Sequence, residues 1–232
     1  MATNISLKNE LAARRAKEAE NTPAKAIESL LKSDSIKSEF EEHLGENTDE
    51  YINSIIGLVN NGTSLQHCEP MSIISACITA AKLDLRVDKK LDYLWLLPYK
   101  KQAYFLLGYK GYIQLALKST EYKCINVVEV HEGELAAWNP LTEEISLDIR
   151  GKKSDAIIGY AAYFELVKGF KKAVYRSKEQ IDAVRKKCDM GEALWKSDYN
   201  GAAKKVVIRD MLLKYGFLSS NMEKAFLAEV HI

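Results

Sequence analysis

The sequence predicts an α+β chain: a small, mostly antiparallel sheet made of two hairpins, packed with helices and preceded by a helical N-terminal region. Three observations carry that prediction. Aromatic and aliphatic runs at residues 93–97, 103–107, 122–131, 157–167 and 170–176 have strand character. Two neighbouring pairs of them are joined by only a few polar or glycine residues, as in hairpins. The order is helices, then strands interleaved with helices, then helices, which suits a mostly antiparallel sheet.

The chain has 232 residues, of which 47% are hydrophobic and 28% charged, so it can bury a sizeable core. Formal net charge is only +1, but it is unevenly placed. Residues 1–60 carry seven Lys/Arg against eleven Asp/Glu, a net of −4, whereas residues 168–214 carry thirteen against six, a net of +7. Such asymmetry suits a polyanion-binding half paired with an acidic one. Cys68, Cys77, Cys124 and Cys188 lack zinc-ligand spacing and read as free thiols in a reducing compartment. No apolar run is long enough to span a bilayer, and residues 1–20 are polar and charged, so a soluble, cytoplasmic protein is expected.

Residues 7–20 are rich in Ala, Lys, Arg and Glu with almost no apolar stripe, so that segment alone frays or docks on a neighbouring subunit. The expected organisation is a helical, oligomerising arm at residues 1–45 and an α+β core at residues 46–232. Pro23 starts a helix with Ile27, Leu30 and Leu31 inside. Ile36, Phe40 and Leu44 face inward in the next. Asn47 and Glu50 read as a capping box for a third, lined by Ile52, Ile55, Ile56 and Val59. Residues 70–83 form a more apolar helix with small residues that permit close packing. The first hairpin follows, with Pro98 ending its first strand and Tyr99, Lys100, Lys101 and Gln102 at its tip. A helix is expected over 111–119, a strand over 122–131, a turn at Glu132-Gly133-Glu134 and a short strand near 145–149. The second hairpin turns at Lys168-Gly169. Ser177 and Gln180 form a capping box for a helix to about residue 187. Residues 188–200 read as a loop carrying Trp195, followed by helices at 200–215 and about 222–230.

No G-x-x-x-x-G-K-[ST], G-x-S-x-G, H-E-x-x-H or G-x-G-x-x-G occurs, so nothing signals ATP hydrolysis. Two segments do carry chemistry. Gly108-Tyr109-Lys110-Gly111 opens a helix, where backbone N–H groups favour phosphate, and Tyr109 and Tyr112 offer rings for base stacking. In the late helix Val207, Ile208, Met211, Leu212 and Tyr215 form an apolar stripe, while Lys205 and Arg209 share a face with Lys204 beside them. Arg176, Lys178, Lys186 and Lys187 extend that positive surface if the second hairpin lies alongside. A metal-dependent nuclease built on Glu121 and Lys123, with Asp92 upstream, is one alternative; a monomeric RNA-binding module using the loop from Gly108 to Gly111 is another. Glu129, Glu132 and Glu134 form a turn-facing acidic cluster.

Taken together, Met71 to Ala76, Leu83 and Leu85, Leu96-Leu97-Pro98, Gly108 to Gly111, Leu115-Ala116 and Ser119, Glu132 to Glu134, Trp195, Ala203-Lys204-Lys205 and Ile208-Arg209 resemble, in order and spacing, the RecT family of phage and prophage single-strand annealing proteins. The sequence departs from the family at Asp84 and Arg86-Val87, where a Gly and a Pro are frequent. It also stops at Ile232, where members usually continue into a polar or acidic tail. The resemblance implies an ATP-independent protein, not an enzyme. It would bind single-stranded DNA, pair it with a complementary strand and hold the annealed duplex during homologous recombination. It implies a homo-oligomer, ring or helical filament, working beside a partner exonuclease and, through the tail, the host single-strand-binding protein. No cofactor is implied, with magnesium at most a modulator of DNA binding. The expected nucleic-acid-binding residues are Tyr99, Lys100, Lys101, Tyr109, Lys110, Tyr112, Arg176, Lys178, Lys204, Lys205 and Arg209.

Overall fold

A computed structural model describes residues 23–62, 64–188 and 191–229. Residues 7–20, the part of the arm expected to fray or dock on a neighbouring subunit, lie outside them. The described residues divide into two compact units: those up to residue 88 with 98–104, and 89–97 with those from residue 105 onward. Residues 23–45 belong to the same unit as the helices that follow.

In the first unit, α1 (Pro23–Leu31) and α2 (Asp34–Leu44) pack on α4 (Pro70–Lys82), with α3 (Thr48–Asn61) beside them. The expected inward positions Ile27, Leu31, Phe40, Ile52, Ile55 and Val59 are buried. Tyr51 sets its ring 5.8 Å from that of Phe40, and its hydroxyl donates to the Leu85 carbonyl at 2.8 Å. The capping box at Asn47 does not form. Asn47 closes a 3-10 turn over Gly45–Asn47 and makes no side-chain cap, and Glu50 pairs with Arg86 instead.

Strands β1 (Leu94–Tyr99) and β2 (Gln102–Leu107) form the first hairpin. The tip is tighter than expected. Lys100 and Lys101 alone turn the chain, both left-handed at φ 45° and 63°, the geometry that matches strand twist in a two-residue turn. Pro98 therefore sits inside β1, tolerated because a two-stranded sheet is all edge. Within the first unit the tip is anchored: Glu69 N–H donates to the Lys101 carbonyl at 2.7 Å, and Ala103 N–H to Ser72 Oγ at 2.9 Å.

The second unit is built on an antiparallel sheet in the order β3 (Tyr122–His131), β6 (Ile157–Leu166), β7 (Lys171–Ser177). One face carries Val130, Ala161 and Tyr175 and is covered by a hairpin of β4 (Leu135–Asn139) and β5 (Glu144–Leu147). Sequence reading anticipated only β5 of that pair. Register places Ile125 beside Phe164 and Val127 beside Ala162 on the other face, against which helix α8 (Tyr199–Tyr215) packs. Helices α5 (Tyr109–Lys118), α6 (Lys178–Arg185), α7 (Glu192–Ser197) and α9 (Ser220–Ala228) complete the unit. The Ser177–Gln180 capping box forms as expected. The expected loop around Trp195 is instead α7, and Trp195 is buried in the core. This is the expected α+β architecture of small antiparallel sheets with helices. Among the described residues no helix is long and apolar enough to cross a membrane.

Candidate nucleic-acid interface

The two segments singled out in the sequence meet in space. Helix α5 starts directly after β2, with Gly108 as its N-cap, two residues earlier than expected. Helix α8 packs against it. Tyr109, in the first turn of α5, is flanked by two ammonium groups: Lys110 Nζ lies 5.8 Å and Lys204 Nζ 5.5 Å from its ring centroid. A cation at that range is attracted by the ring's quadrupole. Each lysine has a carboxylate partner, Lys110 with Asp92 at 3.6 Å and Lys204 with Glu129 at 2.8 Å. The arrangement is a half-buried aromatic face between two cations, suited to a flat ring carrying a phosphate.

The glycines at this bend serve packing. A Cβ on Gly108 would lie 2.6 Å from the Asp92 carbonyl oxygen, and one on Gly111 only 2.1 Å from that of Tyr93. The Gly108 N–H donates to Tyr93 at 2.8 Å. Both glycines therefore let the segment before β1 lie against the start of α5.

Three expected contact residues turn toward Glu229. Tyr112 is fully buried, its ring 5.2 Å from that of Phe226, so it presents no face for stacking. Lys205 and Arg209 share a face, as their spacing requires, but it is turned toward Glu229 rather than solvent. Helix α8 is enclosed by the sheet on one side and helices on the other, so the predicted split into apolar stripe and solvated ladder does not hold. Glu229 is itself buried and accepts from the Leu107 N–H at 2.7 Å and from the Tyr112 hydroxyl. Lys205 Nζ at 3.0 Å and Arg209 Nε at 3.3 Å pair with it. Burial pushes the Lys205 ammonium pKa down, with Glu229 opposing. Burial, reinforced by Glu229, pushes the Tyr112 hydroxyl well up. A buried carboxylate survives there because two cations and two neutral donors satisfy it.

Beside this cluster is a cavity of about 330 Å³ whose apolar wall includes Ile181, Leu194 and Trp195 and whose polar rim is Arg176, Lys205, Arg209, Asp210 and Glu229. Arg176, at the end of β7, pairs with Asp210. Lys178 is exposed at the start of α6. Tyr99, Lys100 and Lys101 belong to the first unit, with Lys100 Nζ 5.2 Å from the Tyr99 ring centroid and the Tyr99 and Tyr104 rings 6.4 Å apart.

The residues of the alternative readings are engaged elsewhere. Lys123 pairs with Glu165 at 2.8 Å, and Asp92 accepts from Trp95 Nε1 at 2.8 Å as well as facing Lys110. The acidic turn is divided among protein partners: Glu129 faces Lys204, Glu132 accepts from Ser154, and Glu134 accepts from the His131 N–H. Among the described residues no group of three or more potential ligands converges as a metal site. Sequence reading missed Glu229, Asp210 and the pairing role of Asp92, because single carboxylates carry no local pattern.

Residues 49–229 match the sequence model of the RecT family. The chain is 47% identical over 233 residues to the uncharacterized protein YqaK of Bacillus subtilis (strain 168), covering 99% of this chain and 81% of YqaK. It is 27% identical over 172 residues to Protein RecT of Escherichia coli (strain K12), covering 70% of this chain and 64% of that protein. The matched stretch contains both the Tyr109 bend and the late basic helix, and by this match the chain belongs to the RecT family.

Proposed function

We propose that this protein is an ATP-independent single-strand annealing protein. It binds single-stranded DNA along its backbone, promotes pairing with a complementary strand and retains the duplex, working as a homo-oligomer in recombination. RecT family membership supports the recombination and annealing role. The single structural observation that supports DNA contact is the Tyr109 ring flanked by Lys110 and Lys204, contributed by two different helices. Annealing needs no bond chemistry. Cations must lower the repulsion between two strands while the pairing edges of the bases stay open, so backbone contact and stacking suffice. A partner exonuclease supplying single strands belongs to this scheme, and no cofactor does.

The test is binding of a fluorescent oligo-dT across a salt series, alongside ATP-free annealing of complementary oligonucleotides. Tyr109→Ala should remove a stacking platform of about 1–3 kcal/mol. Lys110→Ala and Lys204→Ala should each flatten the log K against log salt slope by about 0.7. Unchanged affinity and slope in all three variants would remove this surface from the assignment.

A further inference from the structure

We infer that α9 and Glu229 form an acidic latch that occupies the cations of the Lys205–Arg209 face, and that a DNA phosphate displaces it. This rests on the DNA-binding reading above and goes beyond it by adding to the Tyr109 surface a second set of cations, Lys205 and Arg209, that has a closed state. The carboxylate holds the place a phosphate would take. It is almost fully buried, and Lys205 and Arg209, which the sequence marks as phosphate ligands, both point at it. Those cations cannot stay buried without an anion, so an opening that leaves them unpaired is strongly disfavoured, whereas exchange of one anion for another is not.

The latch helix depends on its docking. Helix α9 spans nine residues, too few for a helix to persist alone in water. It docks through Met222, Ala225 and Phe226, while Leu227 on its outer side is 86% exposed. The adjoining cavity is already a place for an anion joined to an apolar group: three cations, Arg176, Lys205 and Arg209, face two carboxylates, Asp210 and Glu229, over an apolar wall. Departure of Glu229 leaves three cations against one carboxylate. It also uncovers the Tyr112 ring, which Phe226 now covers.

Glu229→Gln tests this with little change of shape, since the amide oxygen still accepts from Leu107 N–H. Oligo-dT affinity of the whole chain is measured against salt for wild type and variant, with hydrogen exchange of the wild-type α9 amides with and without the oligonucleotide. The latch predicts binding about three- to tenfold tighter in the variant, a steeper salt slope, and faster exchange across residues 220–228 when wild type binds. Equal affinity and slope, or α9 amides unchanged or slowed in a wild-type protein that does bind, overturns the latch and leaves the DNA-binding reading standing. Failure of both proteins to bind overturns the reading itself. Binding by the variant alone supports both. Should the variant not fold, the wild-type exchange experiment decides.

Discussion

Gly111→Ala separates two roles for the glycine bend. At an open helical position this change is favourable by about 1 kcal/mol, because alanine restricts the unfolded chain and favours helix. Gly111 is not open. The new methyl would lie 2.1 Å from the Tyr93 carbonyl oxygen, 2.7 Å from Leu107 Cδ1 and 3.0 Å from Leu107 Cγ. The carbonyl cannot retreat cheaply, since it accepts the Gly108 N–H. Leu107 is fully buried and its own N–H is bound to Glu229. Overpacking of this kind costs about 1–3 kcal/mol, and a weakened backbone hydrogen bond adds about 1. Against the propensity gain of about 1, the net loss is about 1–3 kcal/mol, a fall in Tm of roughly 2–12 °C at 2–4 °C per kcal/mol. Gly57→Ala, inside α3 with no heavy atom within 4 Å of the added carbon, is the control and should raise Tm by about 2–4 °C. Thermal and urea unfolding of both variants read the difference. A Gly111→Ala protein as stable as Gly57→Ala but defective in DNA binding would refute the packing argument and point to contact of this bend with phosphate.

Glu143 carries a pH dependence. Burial alone would raise its carboxyl pKa, but contacts from Tyr215, Lys214 and Lys172 outweigh that and hold it at about 2, against 4.5 when unfolded. A depressed carboxylate stabilises above its unfolded pKa and loses that contribution as pH falls through the folded value. Glu143→Gln should therefore cost about 1–3 kcal/mol at pH 7 and little near pH 2, read by urea unfolding across that range. Ser177→Ala removes one half of the capping box and should cost about 0.5–2 kcal/mol in the same assay; an unchanged midpoint would mean that the cap contributes nothing. Tyr112→Phe keeps the buried ring but loses its bond to Glu229, so stability should fall by about 1.5–3 kcal/mol. An unchanged midpoint would mean that the buried hydroxyl contributes nothing.

Much of the architecture was legible because the signals are local. Strand β3 occupies the very span its alternation predicts, and β6 and β7 differ from expectation by a residue or so at their ends. Ser177 and Gln180 capped α6 because everything a capping box needs lies within four residues. Asn47 and Glu50 have the same spacing, yet a distant guanidinium, Arg86, takes the glutamate. Trp195 reads as a loop residue because its six-residue helix is too short to show a period.

The α+β class and the family are legible in the order and spacing of elements along the chain, and the two segments that meet at Tyr109 in patterns within a few turns. Which way the cations of those segments face depends on packing between elements distant in sequence. Lys204 and Lys205 are neighbours in sequence, yet one lies beside Tyr109 with Glu129, while the other is buried against Glu229. Periodicity records that a helix has faces. It cannot record that both faces of α8 are covered, or that a carboxylate twenty residues beyond Arg209 makes a buried cation tolerable.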